Sequence, residues 1–189
     1  MVRITGGLYR GRKLKVPRAG VRPTKDMVRQ ALFSALGESI VGKRVGDLFA
    51  GTGAIGLEAI SRGAAEVVWV EAASHTFDIL RENLSTVLGE SIQPHSCVRA
   101  DAMIWLKSLS PPLELDLLVA DPPYEPENNM PWAERLLDLV AEGQRLKSDG
   151  LLVVEQHIDQ PVIDKPVWNI LKEARYGETR LVYYRRKEP

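Results

Sequence analysis

Short apolar runs at 44–49, 66–71, 93–100, 115–120 and 151–156 alternate along this chain with segments of helical periodicity, and few folds accept that rhythm. Runs rich in Val and Leu read as strands buried on both faces. With a helix between successive strands, they predict an α/β fold whose mostly parallel sheet is covered on either side. Helices are expected over 24–36, 54–62, 74–88, 102–109 and 131–146. In the first, Val28, Ala31, Leu32 and Ala35 share one face and Thr24 is the N-cap, while Gly63 stops the second. Two strand-like runs around Gly177, within 167–185, predict a hairpin that completes the sheet. The chain has 189 residues, 44% of them hydrophobic, enough for one sizeable core.

In open sheets of this kind, ligands gather at the carboxyl ends of the strands. Asp47, Glu71, Asp101 and Asp121 all fall at such ends. The first opens the run Asp47-Leu48-Phe49-Ala50-Gly51-Thr52-Gly53, whose glycines allow a tight turn and let a ligand reach the backbone without meeting a Cβ. Gly51, Gly53 and Gly56, with Glu71 about 20 residues beyond, also satisfy the dinucleotide fingerprint. Charge separates the two candidate ligands: a dinucleotide brings an anionic pyrophosphate, whereas S-adenosylmethionine brings a sulfonium and an ammonium and no phosphate. Asp47 beside the loop suits the cation, and Asp101 adds an acceptor near its adenine.

Asp121-Pro122-Pro123-Tyr124, at the end of the fourth run, suits the holding of a planar amino group for alkylation. The lone pair of such a group is delocalised and needs acceptors for its N–H groups before it can attack. Asp121 can accept one N–H and the Pro122 carbonyl the other, which disperses the positive charge developing on nitrogen. The prolines stiffen the turn and bring no competing donor. Tyr124 offers a face on which a flipped-out base can stack, a contact worth roughly 1–3 kcal/mol. The other reading of the motif is a surface turn with a helix-capping Asp.

Charge is unevenly spread. The net value is zero, yet residues 1–29 hold nine Lys or Arg against one acid, Asp26, leaving the rest with 16 basic and 24 acidic residues. A basic segment attached to an acidic domain points to a polyanionic partner, with Arg10, Arg12, Lys13 and Lys15 as candidate contacts; a solvated terminus is the alternative. Residues 3–7 and 10–16 read as two short strands with glycine turns, so 1–23 is expected to form a β-hairpin extension and 24–189 the main domain. Cys97 is the only cysteine, which excludes an intramolecular disulfide and fits a reducing cytoplasm. His75, His95 and His157 have no metal-ligand spacing, so no metal is expected. No apolar run approaches the roughly 20 residues of a membrane span, so no membrane partner is expected.

Taken together, these residues resemble the bacterial small-subunit ribosomal RNA guanine-N2 methyltransferase family usually called RsmD. The resemblance is carried by Arg3-Ile4-Thr5-Gly6-Gly7, Gly11-Arg12-Lys13-Leu14, Arg22-Pro23-Thr24, Asp47 through Gly53, Glu71 and Asp121 through Tyr124. It implies a class I, Rossmann-like methyltransferase sheet of seven strands, S-adenosylmethionine as donor, and N2-methylguanine in 16S rRNA as product, made on ribosomal material assembled with proteins. By the same resemblance, Gly51, Thr52 and Gly53 face the donor's methionine moiety, Asp47 its ammonium and Glu71 its ribose. Asp101 and the Ala102 backbone read its adenine. Asp121, Pro122 and Tyr124 hold the guanine, and Arg22 reaches the substrate phosphate or the pocket mouth. The four residues 121–124 do not distinguish guanine N2 from adenine N6, and a noncatalytic RNA-binding assembly factor is a further alternative.

Overall fold

The computed structural model describes residues 2–17, 23–89, 95–108, 114–122, 132–143 and 145–187. Strands β3 (Arg44–Leu48), β4 (Glu66–Glu71), β5 (Ser96–Arg99), β6 (Leu115–Ala120) and β7 (Leu146–His157) run parallel in the order β5-β4-β3-β6-β7. The tail forms β8 (Trp168–Tyr176) and β9 (Thr179–Arg186), which turn back at Gly177. β9 inserts antiparallel between β7 and β8, giving seven strands. This is the mostly parallel class I arrangement that the resemblance implies. The order in which strands are added reverses between β3 and β6, so the ends of these two parallel strands open a crevice at the centre of the sheet.

Period-two alternation divides the core. Val45, Val67, Trp69, Leu117, Val119 and Val153 point to one face, where they meet α1 (Pro23–Leu36), α2 (Ala54–Ser61) and α3 (Ser74–Leu88). Val68, Val70, Leu118, Ala120, Leu152 and Val154 point to the other, against α4 (Ala102–Lys107) and α5 (Trp132–Glu142). Burying each large aliphatic side chain contributes about 1.5–3 kcal/mol. The strands are therefore apolar on both faces, which is why they read as continuous runs in the sequence.

Several boundaries differ from expectation, the N-terminal strands being shorter than 3–7 and 10–16 and α4 ending at Lys107, and three of the differences have a plain local reason. Helix α1 begins at Pro23, so Thr24 lies inside the first turn and is not the N-cap; proline's missing N–H makes it suited to a helix's first position. Helix α5 stops at Glu142, because the N–H of Gly143 closes the last turn on Leu139 and the chain then extends. Leu146, whose spacing mimics the helix period, instead opens β7 opposite Leu115. Strand β7 is accordingly longer than 151–156, and five steps along it (146–151) match two on β6 (115–117), an irregularity where Lys147 turns to Asp116 at 2.8 Å.

The basic N-terminal segment is stitched into the body. β1 (Val2–Arg3) pairs antiparallel with β2 (Lys13–Leu14), and Val2, Ile4 and Leu14 are buried in the same core cluster as α1, α2 and α3. Glu58 on α2, fully buried, accepts from the Thr5 backbone N–H and hydroxyl, both at 2.7 Å. Ser61 receives the backbone N–H groups of Leu8 and Tyr9 on its carbonyl and hydroxyl. Gly7 needs its hydrogen side chain here: its φ is +75°, and a Cβ would collide with the Ser61 carbonyl.

Candidate active site

The ends of β3 through β7 open onto one cavity of about 670 Å³. Strand order distributes its functions. Asp101 and Gly51 follow β5 and β3 and Glu71 ends β4 on one side, while Asp121 follows β6 and Glu155 lies within β7 on the other.

On the first side the loop after β3 turns through three left-handed residues, Phe49 at φ +59°, Gly51 at +56° and Gly53 at +82°. The Gly53 N–H closes the turn on the Ala50 carbonyl at 2.8 Å. The glycines do different jobs. Around Gly51 an added Cβ would meet nothing nearer than the Phe49 carbonyl at 4.0 Å, so its backbone is open for a ligand to approach, with Thr52 beside it on the cavity wall. Gly53 is a packing glycine: a Cβ there would strike Leu80, and its carbonyl accepts from the Trp69 indole. Glu71 braces the loop, one oxygen accepting from Gly51 N–H and the other from Ala73 N–H, both at 2.8 Å. Asp101 caps α4 through one oxygen, accepting from Met103 and Ile104 at 2.9 and 3.0 Å. Its second oxygen carries no part of that cap. Ala102, the first residue of α4, lines the same end of the cavity.

Asp47 stands behind this wall. It is 1% exposed, and its carboxylate accepts from the Gly56 N–H at 2.9 Å, tying β3 to the first turn of α2. Burial raises its pKa from 3.8 to about 8; Asp121 and Glu71 add repulsion, while the Gly56 N–H and Arg29 oppose it. The protonated Asp47 serves the fold, while Glu71, Asp101 and Asp121 line the cavity itself and make it acidic. That balance suits a sulfonium and an ammonium and disfavours a pyrophosphate.

On the second side, the Asp121 N–H reaches the Leu48 carbonyl at 3.4 Å, continuing the β3–β6 ladder and setting Asp121 and Pro122 on the cavity wall. Trp132, which opens α5, packs edge-on against Phe49 with ring centroids 5.4 Å apart and carries the Arg135 guanidinium over its own ring. Apolar rings therefore flank the acidic turn. Pro123 and Tyr124 lie outside the described residues.

The remaining wall comes from the N-terminal segment and α1, through Val2, Val16, Pro17, Val28, Arg29 and Leu32. Asn83 joins that segment to the loop: its amide donates to the Lys15 and Thr52 carbonyls, both at 3.0 Å, and its carbonyl accepts from Lys15 N–H at 2.8 Å. The basic residues divide in two. Arg12 donates to the Thr86 and Val87 carbonyls at the end of α3, and Lys15 pairs with Glu82. Arg3, Arg10 and Lys13 are exposed along the hairpin. Arg22 lies outside the described residues. Among those residues no cluster of His, Cys, Asp and Glu is arranged to hold a metal, and no helix is long and apolar enough to cross a membrane.

Sequence reasoning overlooked Glu58, Asn83, Arg29, Phe49, Trp132 and Glu155. Two of them had a signal. Glu58 interrupts an apolar helix, and Glu155 ends the fifth apolar run much as Asp121 ends the fourth.

The family described as Conserved hypothetical protein 95 matches residues 2–185 of the chain. The chain is 36% identical to the ribosomal RNA small subunit methyltransferase D of Haemophilus influenzae, over 97% of this chain and 92% of that protein. To the protein of the same name from Escherichia coli K12 it is 33% identical, over 98% and 90%. The solved structure titled "Putative methyltransferase yhhF from Escherichia coli" superposes with a TM-score of 0.82 at 32% identity, covering 100% of this chain and 99% of that one.

Proposed function

Because the chain belongs to the Conserved hypothetical protein 95 family, alongside the ribosomal RNA small subunit methyltransferases D, we propose that it methylates the exocyclic N2 of a guanine in 16S rRNA. The donor is S-adenosylmethionine, the substrate is small-subunit material at or near assembly, and the compartment is the cytoplasm. One observation carries the reading: an open glycine loop with acidic neighbours and the Asp121-Pro122 turn share a single cavity on adjacent strand ends.

The residues present fit the donor. Gly51 leaves room for its methionine end, Glu71 and Asp101 offer acceptors toward ribose and adenine, and Asp47 beneath the loop ties β3 to the first turn of α2. Bound there, S-adenosylmethionine supplies an electrophilic methyl group on sulfur. The protein's part is to present the nucleophile. Asp121 accepts one N–H of the guanine amine and the Pro122 carbonyl the other, turning the nitrogen lone pair toward the methyl. As the N–C bond forms and the S–C bond breaks, the proton shed by nitrogen passes toward the Asp121 carboxylate. Phe49 and Trp132 exclude water from that side. Arg3, Arg10 and Lys13 bring the polyanion to the mouth.

The test is incubation with methyl-labelled donor and undermethylated small subunits, followed by nucleoside analysis and mapping of the label. N2-methylguanine at one 16S position is expected. Label on adenine N6 overturns the base assignment, and RNA binding without transfer overturns the enzyme.

A further inference from the structure

We infer that Arg135 holds a backbone phosphate beside the target nucleotide, anchoring the RNA on the bank of the cavity opposite the basic hairpin. The inference rests on the RNA methylation reading above and adds a second grip to it.

The cavity has two banks. The N-terminal segment and α1 form one, with Arg3, Arg10 and Lys13 exposed along the hairpin. Asp121, Pro122 and Trp132 form the other, and Glu71 and Asp101 add their carboxylates to the lining. A polyanion reaching across from the hairpin therefore meets acidic groups, and its backbone needs a cation on the second bank if the target amine is to stay beside Asp121.

Arg135 is such a cation. It stands in the first turn of α5, three residues after Trp132, so the two side chains are neighbours on the helix surface. Its guanidinium lies 5.1 Å from the centroid of the Trp132 ring, which lines the cavity and is itself packed edge-on with Phe49. Trp132 is half-buried and Arg135 exposed, so the charge sits at the rim and not in the pocket. Other arginines of the body are engaged with acids: Arg44 pairs with Glu66, and Arg62 with Glu58. Among the described residues no carboxylate pairs with Arg135. The acid next to it in the chain, Glu134, goes to Lys165 at 3.2 Å.

A guanidinium resting on an aromatic ring is held in place without spending its N–H donors. The planar fork is thereby oriented in advance for two oxygens of a phosphate, and its delocalised charge tolerates the loss of water on the ring side. An ammonium at the same place would be a point charge with neither property.

The test uses undermethylated small subunits, with binding measured over a range of salt concentrations and methylation followed in single turnovers at saturating donor. Arg135→Gln should weaken subunit binding by roughly tenfold and reduce the logarithmic salt slope by about 0.7 to 1, with the rate at saturating subunit within about twofold of the parent. Arg135→Lys should restore the slope but only part of the affinity. Calorimetric affinity for S-adenosylhomocysteine should be unchanged in both, which also shows that they fold. Subunits are then reconstituted with 16S rRNA carrying a neutral methylphosphonate at the phosphate 5′ or 3′ of the methylated nucleotide. At one of the two positions the parent should lose roughly tenfold in affinity and Arg135→Gln nothing further. A parent-like slope and affinity in Arg135→Gln, with methylation intact, overturns the role of Arg135 alone. Weakened binding in Arg135→Gln with both methylphosphonates fully additive to it also overturns it, and assigns the contact to another part of the subunit. A parent enzyme that transfers no methyl group to 16S rRNA overturns the underlying reading and this assignment with it.

Discussion

Replacing Asp47 by Asn should remove a pH dependence that the fold carries at its centre. The carboxyl is 1% exposed and titrates near 8 where an ordinary Asp titrates at 3.8, chiefly because burial penalises its charge. Raised in the folded state, the group favours folding in its protonated form. Its contribution is therefore complete below about pH 4, declines as pH rises through the window from 4 to 8, and is gone above it. One proton held across that window corresponds to a slope of about 1.4 kcal/mol per pH unit, on the order of 5 kcal/mol in all. Asn stays neutral and its amide oxygen can still accept the Gly56 N–H that Asp47 accepts at 2.9 Å. Urea unfolding of parent and variant at successive pH values isolates this group, because every other titration is common to both proteins. The difference in unfolding free energy should climb in favour of Asn from pH 4 to 8 and level off above. Parallel curves would refute the reasoning and leave Asp47 an ordinary ionised carboxylate.

Other perturbations separate the parts of the site. Glu71→Ala removes the brace on the Gly51 and Ala73 N–H groups and an acceptor for ribose, so calorimetry should show donor and product affinity falling by roughly tenfold or more. Asp121→Ala should lower single-turnover methylation by about 100- to 1,000-fold with donor affinity nearly normal, and Asn at 121, which keeps one acceptor oxygen, should retain more activity than Ala; a parent-like rate in Asp121→Ala would make it a turn residue. Neutralising Arg10 and Lys13 should flatten the salt dependence of RNA binding by roughly one to two in logarithmic slope without moving donor affinity, whereas neutralising Arg12 should also lower thermal stability because its guanidinium holds the end of α3. Gly7→Ala should destabilise by more than about 1 kcal/mol in denaturant titration, since it combines a left-handed φ with a collision against Ser61.

Legibility in the sequence followed the range of the interaction. Strands apolar on both faces announce themselves, and so do the residues that end them, because the chemistry at a strand end is local. Asp101, Asp121 and the glycine loop needed no knowledge of neighbours. Boundaries failed where two local signals competed: Leu146 continues the helical spacing of α5, but Gly143 had already ended the helix. Gly51 and Gly53 read alike in the sequence. Only packing distinguishes them, since Gly51 faces open space and Gly53 faces Leu80.

The basic N-terminus shows most clearly what spacing could not disclose. Nine cations in 29 residues suggest a charged arm. In the fold, however, Arg29 joins Asp26 and the fully buried Glu58, Arg12 and Lys15 bind α3, and Asn83 bridges Lys15 to Thr52. Part of the charge therefore fixes the segment to the donor loop, and the exposed Arg3, Arg10 and Lys13 are left to meet a polyanion. A surface anchored through Asn83 cannot shift far without moving Thr52. RNA gripped at the hairpin is thereby referred to the same rigid frame as the loop that faces the donor, so the distance between target base and methyl group is set by packing and not by the reach of a tether.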